Sequence, residues 1–150
     1  MFVLKKLLPA LILVSISPIS TYAKTAIYSD SAPAPIGIYS QAVEHDGMVY
    51  ISGQIPIDPK TGNLVKGDFR TELEQTIKNL LAITKAAQGE LDDIVKLNIY
   101  VTDMENYSVI NDVISQYFHK PYPARAIIGV KELPKSAMLE IEAIMAVKIK

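Results

Sequence analysis

Residues 68–102, DFRTELEQTIKNLLAITKAAQGELDDIVKLNIYVT, change from a helical pattern to a strand pattern and so decide the fold class. Asp68 is a good helix N-cap, and Gly89 is a natural stop. Between them apolar or small residues recur at spacings of three and four: Phe69, Leu73, Ile77, Leu80, Thr84 and Ala87. This spacing predicts a long amphipathic helix, and the alternating apolar residues of 94–102 predict a strand after it.

A β-hairpin is predicted before this helix. Residues 38–44 and 48–55 are strand-like, and Asp46-Gly47 between them is a common hairpin turn pair. After a segment rich in turn formers, residues 64–66 can form only a short third strand. Residues 24–37 are predicted to be an extended arm that leads into the fold.

One more helix and two more strands are predicted after residue 102. Residues 106–118 have helical periodicity, and 124–130 and 138–148 are strand-like, with a loop over 131–136 between them. The resulting order is strand, strand, short strand, helix, strand, helix, strand, strand. It predicts an α+β domain with a six-stranded mixed sheet and two helices on one face.

The other face of this sheet also needs cover. The strand over 138–148 is apolar at both parities, which is typical of a strand buried on both faces. We therefore expect copies of the chain to close their sheets against each other.

The first 23 residues have the layout of an export signal. Lys5-Lys6 precede an apolar stretch of about ten residues, whereas a bilayer span needs roughly 20. Ala23 is a small residue at the expected cleavage point. We predict a signal peptide over 1–23 and one mature domain over 24–150 that is periplasmic or secreted, with no membrane association after cleavage; an uncleaved N-terminal anchor is the alternative.

Composition excludes several function classes. Removing residues 1–23 takes two of 15 basic residues and none of 16 acidic ones, which leaves 13 against 16 and a formal charge of −3. A negative domain does not attract nucleic acid. The chain has no cysteine, so disulfides, thiolate metal sites and cysteine nucleophiles are excluded. His45 and His119 are isolated and no phosphate loop occurs, so we predict no metal and no cofactor.

Arg125 is the most informative charged residue, because it lies in a strand that is otherwise apolar. A guanidinium in that setting needs an anionic partner. Glu140 and Glu142 share one face of the next strand, and an antiparallel hairpin would pair Arg125 with Glu140 on a common face. Such a pair either fixes strand register or holds a substrate carboxylate beside a general base whose charged form the arginine favours.

Three further positions have both a structural and a functional interpretation. Ser52-Gly53 ends a strand, either as a simple turn or as a place where a ligand or another backbone approaches closely. Tyr39 is either a half-buried strand tyrosine or a ligand contact through its hydroxyl. Asn111, on the second helix, is likewise either a structural residue or a ligand contact.

Several short motifs carry a family resemblance. They are PAPIGIYSQ at 33–41, SGQIP at 52–56, DIVK at 93–96, Asn111, PAR at 123–125, and LPK at 133–135 followed by EIEA at 140–143. In this order they resemble the RidA (YjgF) family of reactive-intermediate deaminases over nearly all of 30–148. The resemblance implies a chorismate-mutase-like α+β fold, a homotrimer whose sheets form a central barrel, and three sites in clefts between subunits.

The resemblance also implies an activity, the hydrolysis of enamines and imines such as 2-aminoacrylate, 2-iminopropanoate and 2-iminobutanoate to 2-oxo acids and ammonia without a cofactor. Matched by motif, Arg125 would bind the substrate carboxylate and Glu140 would position and activate the attacking water. The pocket would be lined by Tyr39, Ser52, Asn111 and the backbone at Ile127. Ile127 stands where many members have a cysteine, which excludes thiol-dependent activity, and Glu142 would belong to the sheet and barrel.

Two other functions remain open. A non-catalytic metabolite-binding or holdase-like trimer would keep the arginine pocket, but a carboxylate binder gains nothing from the acidic Glu140. An isomerase of the chorismate-mutase type would need more cationic residues than Arg125. Export would separate the protein from the cytoplasmic enzymes that release the usual imines, so the imine itself is not predicted.

Overall fold

A computed structural model describes residues 23–147. The predicted signal peptide lies outside the described residues, except for Ala23, as does the end of the strand predicted over 138–148. No helix of the described part is both long and apolar enough to cross a membrane.

Within these residues six strands form one mixed sheet in the spatial order β1-β2-β3-β6-β4-β5. The strands are β1 Thr25–Ile27, β2 Ala42–His45, β3 Met48–Gln54, β4 Ile94–Val101, β5 Ala124–Gly129 and β6 Leu139–Ala146. The β4–β5 pair is parallel and the other four pairs are antiparallel. Asp46 and Gly47 both have positive φ, 50° and 73°, which is the turn predicted between β2 and β3.

Two helices, α1 Phe69–Ala86 and α2 Tyr107–Tyr117, pack on one face of the sheet. The predicted N-cap is confirmed, since Asp68 Oδ1 accepts a hydrogen bond from the Thr71 amide at 2.9 Å. The α1 stripe of Leu73, Ile77 and Leu80 is fully buried in one core with the sheet residues of β3, β4 and β6. The predicted α+β architecture is confirmed.

The opposite face of the sheet stays open in the described chain. Along β6, buried residues alternate with half-buried ones, and Glu140 and Glu142 belong to the half-buried set. Tyr50 on β3 and Ile128 on β5 are 48% and 40% exposed. This is the uncovered face expected from the sequence.

The hairpin predicted between β5 and β6 is wrong. β5 pairs with β4, and β6 lies between β3 and β4. Arg125 is level with Leu97, whose side chain is buried on the helix side, whereas Glu140 is level with Tyr100 on the open side. The predicted pairing of Arg125 with Glu140 on a common face is therefore wrong within one chain.

The reason lies in the two strands themselves. A helical crossover lets two consecutive strands run parallel, as β4 and β5 do on either side of α2, whereas a short hairpin loop would make them antiparallel. β5 is short and partly exposed along its length, as suits an edge. β6 is longer and has buried residues throughout, so it takes the central position with partners on both sides.

Three smaller expectations also fail. Residues 64–66 form no strand, because Leu64 makes only an isolated bridge to Ile57. The arm over 24–37 contains strand β1, which pairs with β2. β2 begins at Ala42 rather than at residue 38.

Gln41 explains how the arm is held. Its amide is buried: Nε2 donates to the carbonyl oxygens of Ser29 at 3.0 Å, Ala32 at 3.3 Å and Pro33 at 2.9 Å, and Oε1 accepts from the Ser29 amide at 2.7 Å. One side chain thus satisfies several backbone groups that the sheet does not reach. The arm is folded onto the domain by this amide.

We expect Gln41→Leu to lower the free energy of unfolding by about 2–4 kcal/mol, because each buried polar group left unpaired costs about 1–3 kcal/mol. Urea denaturation measures this change. Gln116→Leu is the control, since Gln116 is exposed on α2 and its substitution should change stability by less than about 0.5 kcal/mol. Equal effects of the two substitutions would contradict the assigned role of Gln41.

Candidate active site

Glu140 lies in a cavity of about 250 Å³ at the junction of β3 and β6. The lining residues are Ile36, Tyr39, Ser52, Gly53, Ile55, Pro134 and Glu140. Glu140 packs directly on Gly53: a Cβ atom built on this glycine would lie 1.8 Å from Glu140 Oε1. The close approach suggested for Gly53 is therefore made by a side chain of the same chain, and it requires glycine for space.

Tyr39 and Ser52 form the wall beside this carboxylate. The Tyr39 hydroxyl accepts a hydrogen bond from the Ile36 amide at 3.1 Å, and its side chain remains 45% exposed. Ser52 Oγ donates to the Ser40 carbonyl oxygen at 2.7 Å. Both hydroxyls are thus oriented by backbone groups of the same loop, and the structure places both predicted residues in one cavity with Glu140.

The electrostatics of Glu140 favour proton transfer. Burial raises the pKa of Glu140, and the negative charge of Glu142 raises it further. Within residues 23–147 no donor forms a hydrogen bond to the Glu140 carboxylate, and no guanidinium lies beside it to lower its pKa as the hairpin prediction required. A carboxylate whose pKa is shifted toward neutrality suits a general base.

Glu142 has a different environment. Its Oε1 accepts hydrogen bonds from Asn98 Nδ2 and from the Tyr100 hydroxyl, both at 2.8 Å. This accepted bond also raises the pKa of Tyr100. These two hydrogen bonds hold the Glu142 carboxylate on the open face of β4. Its negative charge acts on the nearby Glu140, whose pKa it raises.

Arg125 lies in a second cavity, of about 410 Å³, between β5 and α2. The lining residues are Asn111, Ile114, Ser115, Tyr122, Pro123 and Arg125. Arg125 Nη2 donates to Asn111 Oδ1 at 2.7 Å, which holds one side of the guanidinium. Its remaining N–H groups can bind an anion such as a carboxylate.

The predicted site residues therefore fall into two groups. Tyr39, Ser52 and Glu140 share the first cavity, and Asn111 and Arg125 share the second. Ile127 lines neither of these cavities, because its side chain packs against the core.

Some lining residues were not singled out from the sequence. Ile36 and Pro134 lie in the motifs at 33–41 and 133–135, and this position could have indicated that they line the site. Tyr122 is 54% exposed and lies in none of these motifs, so nothing in the sequence indicated that it lines the second cavity. Within the described range no group of three or more metal-ligating side chains occurs.

Gly53→Ala should displace the Glu140 carboxylate by more than about 1 Å, because non-bonded heavy atoms rest about 3.5 Å apart. The fold should survive, since the clash involves the flexible end of a side chain. A crystal structure of the variant measures the shift. Gly37→Ala is the control, because a Cβ there would meet no atom closer than 3.5 Å; an unmoved Glu140 in Gly53→Ala would contradict the assignment.

Comparison with known proteins identifies the family of this chain. The family described as Endoribonuclease L-PSP matches residues 29–147. A RutC family protein of Pyrococcus horikoshii is 45% identical over 121 residues, which cover 81% of this chain and 96% of the relative. A Dermatophagoides farinae protein named 2-iminobutanoate/2-iminopropanoate deaminase is 42% identical over 125 residues, covering 83% of this chain and 98% of the relative.

A solved structure extends the likeness to the fold. The crystal structure of RidA from the Antarctic bacterium Psychrobacter sp. PAMC 21119 matches with a TM-score of 0.80 and 45% identity, and the match covers 82% of this chain and 99% of that one. Since sequence and fold both match over most of the chain, it belongs to the RidA (YjgF) family.

Proposed function

We propose that this protein hydrolyses small 2-imino acids, such as 2-iminobutanoate and 2-iminopropanoate, to 2-oxo acids and ammonia. The observation that carries the proposal is the pair of half-sites: a half-buried Glu140 of raised pKa and an Arg125 oriented by Asn111. A base and a carboxylate binder are what this reaction needs. The similarity to a relative named for the same reaction supports the choice of substrate.

The complete site is proposed to form between copies of the chain. Arg125 and Glu140 lie on opposite faces of the sheet with β4 between their strands. A homotrimer that covers the open faces would bring Arg125 of one copy to Glu140 of the next. Each copy would then contribute half of each site.

The chemistry follows from these two residues. Arg125 would bind the substrate carboxylate and so fix the C=N carbon near Glu140. With the imine nitrogen protonated, Glu140 would accept a proton from water as the water oxygen bonds to that carbon, which gives a neutral carbinolamine. Glu140 would return this proton to the nitrogen and then take the proton of the new hydroxyl as the C–N bond breaks, so that the C=O bond of the 2-oxo acid forms and ammonia leaves.

RNA cleavage, which the family description names, has less support in this chain. The chain has two arginines and a formal net charge of −1, and Arg70 is paired with Asp112 on α2. Affinity for RNA depends on several cationic contacts to phosphates. A single oriented guanidinium fits a small carboxylate better.

Arg125→Ala should lower kcat/KM for 2-iminobutanoate by about 100-fold or more, because a hydrogen-bonded charge lost from a desolvated site costs roughly 2–5 kcal/mol. Release of 2-oxo acid from enzymatically generated imine measures this. Arg70→Ala is the matched control, since it removes the other arginine from an exposed ion pair. A well-folded parent that never accelerates hydrolysis would favour the metabolite-binding or holdase function instead.

When kcat/KM is plotted against pH, the fall on the acidic side (the acidic limb) should report the protonation of Glu140, because Glu140 must be ionised to act as a base. Burial and Glu142 raise the pKa of Glu140, whereas Arg125 of the neighbouring copy would lower it, so the pH at which activity falls depends on the balance of these effects. Glu142→Gln removes one cause of the raised pKa, so the limb should move to lower pH. Glu105→Gln is the control, since it changes the charge equally at an exposed position, and it should leave the acidic limb where it is in the parent. If Glu142→Gln also leaves the acidic limb unmoved, Glu140 is not the titrating base.

A further inference from the structure

Helix α1 presents a polar stripe toward the two chain segments that hold Glu140. Glu72, Gln75 and Asn79 lie at spacings of three and four, so they share one helix face. Glu72 is 5% exposed and Asn79 is 1% exposed. Polar side chains this deeply buried need hydrogen-bonded partners, and each of these two bonds to backbone groups outside α1.

Asn79 holds the segment that follows Gly53. Its Nδ2 donates to the carbonyl oxygens of Ile55 at 3.1 Å and Ile57 at 2.9 Å, while its Oδ1 accepts from Gln75 Nε2 at 2.9 Å. Ile55 lines the Glu140 cavity. One amide therefore fixes the path of the backbone directly after the glycine on which Glu140 packs.

Glu72 holds the segment that precedes Glu140. Its Oε2 accepts a hydrogen bond from the Met138 amide at 3.0 Å, two residues before Glu140. The Met138 carbonyl oxygen accepts from the Thr102 amide at 3.1 Å, so both backbone groups of Met138 are satisfied. This is where the chain enters β6.

The turn before Met138 explains why the hydrogen bond between the Met138 amide and Glu72 is needed. Lys135 and Ser136 both have left-handed backbone, with φ of 55° and 60°. This conformation is strained for residues with a side chain and persists only where the surroundings impose it. A buried carboxylate that anchors Met138 fixes the end of this strained turn and hence the start of β6.

We propose that Glu72 and Asn79 are positioning residues that set the contact between Gly53 and Glu140. Asn79 acts on the Gly53 side and Glu72 acts on the Glu140 side, and neither lines the cavity. The kinetic consequence rests on the proposed deaminase function, whereas the structural consequence does not.

Glu72→Ala removes the acceptor of the Met138 amide, while Glu72→Gln keeps an oxygen that can accept the same bond. We expect Glu72→Ala to lower kcat by roughly 10- to 100-fold, since about 1 Å of misplacement in a site can cost 100-fold. KM should stay within about twofold, because Arg125 binds the carboxylate elsewhere. Glu72→Gln should restore kcat to within about threefold of the parent.

Thr76→Val is the matched control on the same helix. Thr76 is fully buried, but its hydroxyl donates to the Glu72 carbonyl oxygen, so this hydrogen bond stays within α1. Thr76→Val should lower the melting temperature without lowering kcat. A loss of kcat in Thr76→Val equal to that in Glu72→Ala would overturn the proposal, because general destabilisation would then explain both.

Crystal structures of the variants decide the matter independently of any activity. Glu72→Ala should move the start of β6 and separate Glu140 from Gly53, and Asn79→Leu should move residues 53–57 instead. Parent-like positions in both variants would overturn the proposal. If the parent hydrolyses no imine, the proposed function fails, and these positions still support or refute the positioning role.

Discussion

The arrangement of the whole molecule depends on the position of β6 between β3 and β4. This strand has buried residues along its full length, so it is stable only with a partner on each side and helices over one face. That position brings Glu140 onto Gly53 of β3 and sends Glu142 to the polar residues of β4. It also separates Glu140 from Arg125, since β4 lies between their strands.

Two half-sites follow from this separation. The Glu140 cavity has a carboxylate of raised pKa and two oriented hydroxyls, but no cation among its lining residues. The Arg125 cavity has an oriented guanidinium, but no carboxylate among its lining residues. In the proposed site each cavity would supply what the other lacks, and the uncovered sheet face gives a physical reason for copies of the chain to associate.

Much of this could be predicted from sequence because the signals were local. The α1 periodicity, the Asp68 cap and the Asp46-Gly47 turn each depend on residues close together in the chain, and the structure confirms them. The order of the strands depends on competition for the central position of the sheet. No local pattern records that competition, so the hairpin between β5 and β6 was predicted wrongly and Arg125 was paired with Glu140 in one chain.

For the site residues too, local sequence signals gave the identities but not the spatial grouping. Tyr39, Ser52 and Glu140 could be named from motifs, yet their grouping apart from Asn111 and Arg125 required the sheet order. The buried polar stripe of α1 could not be distinguished in sequence from a solvated helix face, because Glu72 and Asn79 find their partners more than 20 residues away in the chain.

Complementation between Arg125→Ala and Glu140→Gln tests the central claim most directly. Each variant alone should retain at most about 1% of the parent activity, as expected for Arg125→Ala above. Unfolded together at equal concentration and refolded, they should regain roughly a quarter of the parent activity, because random assembly leaves about one shared site in four with both residues intact. Mixed oligomers, verified by native mass spectrometry, that remain inactive would contradict an account in which neighbouring copies each supply half of the site.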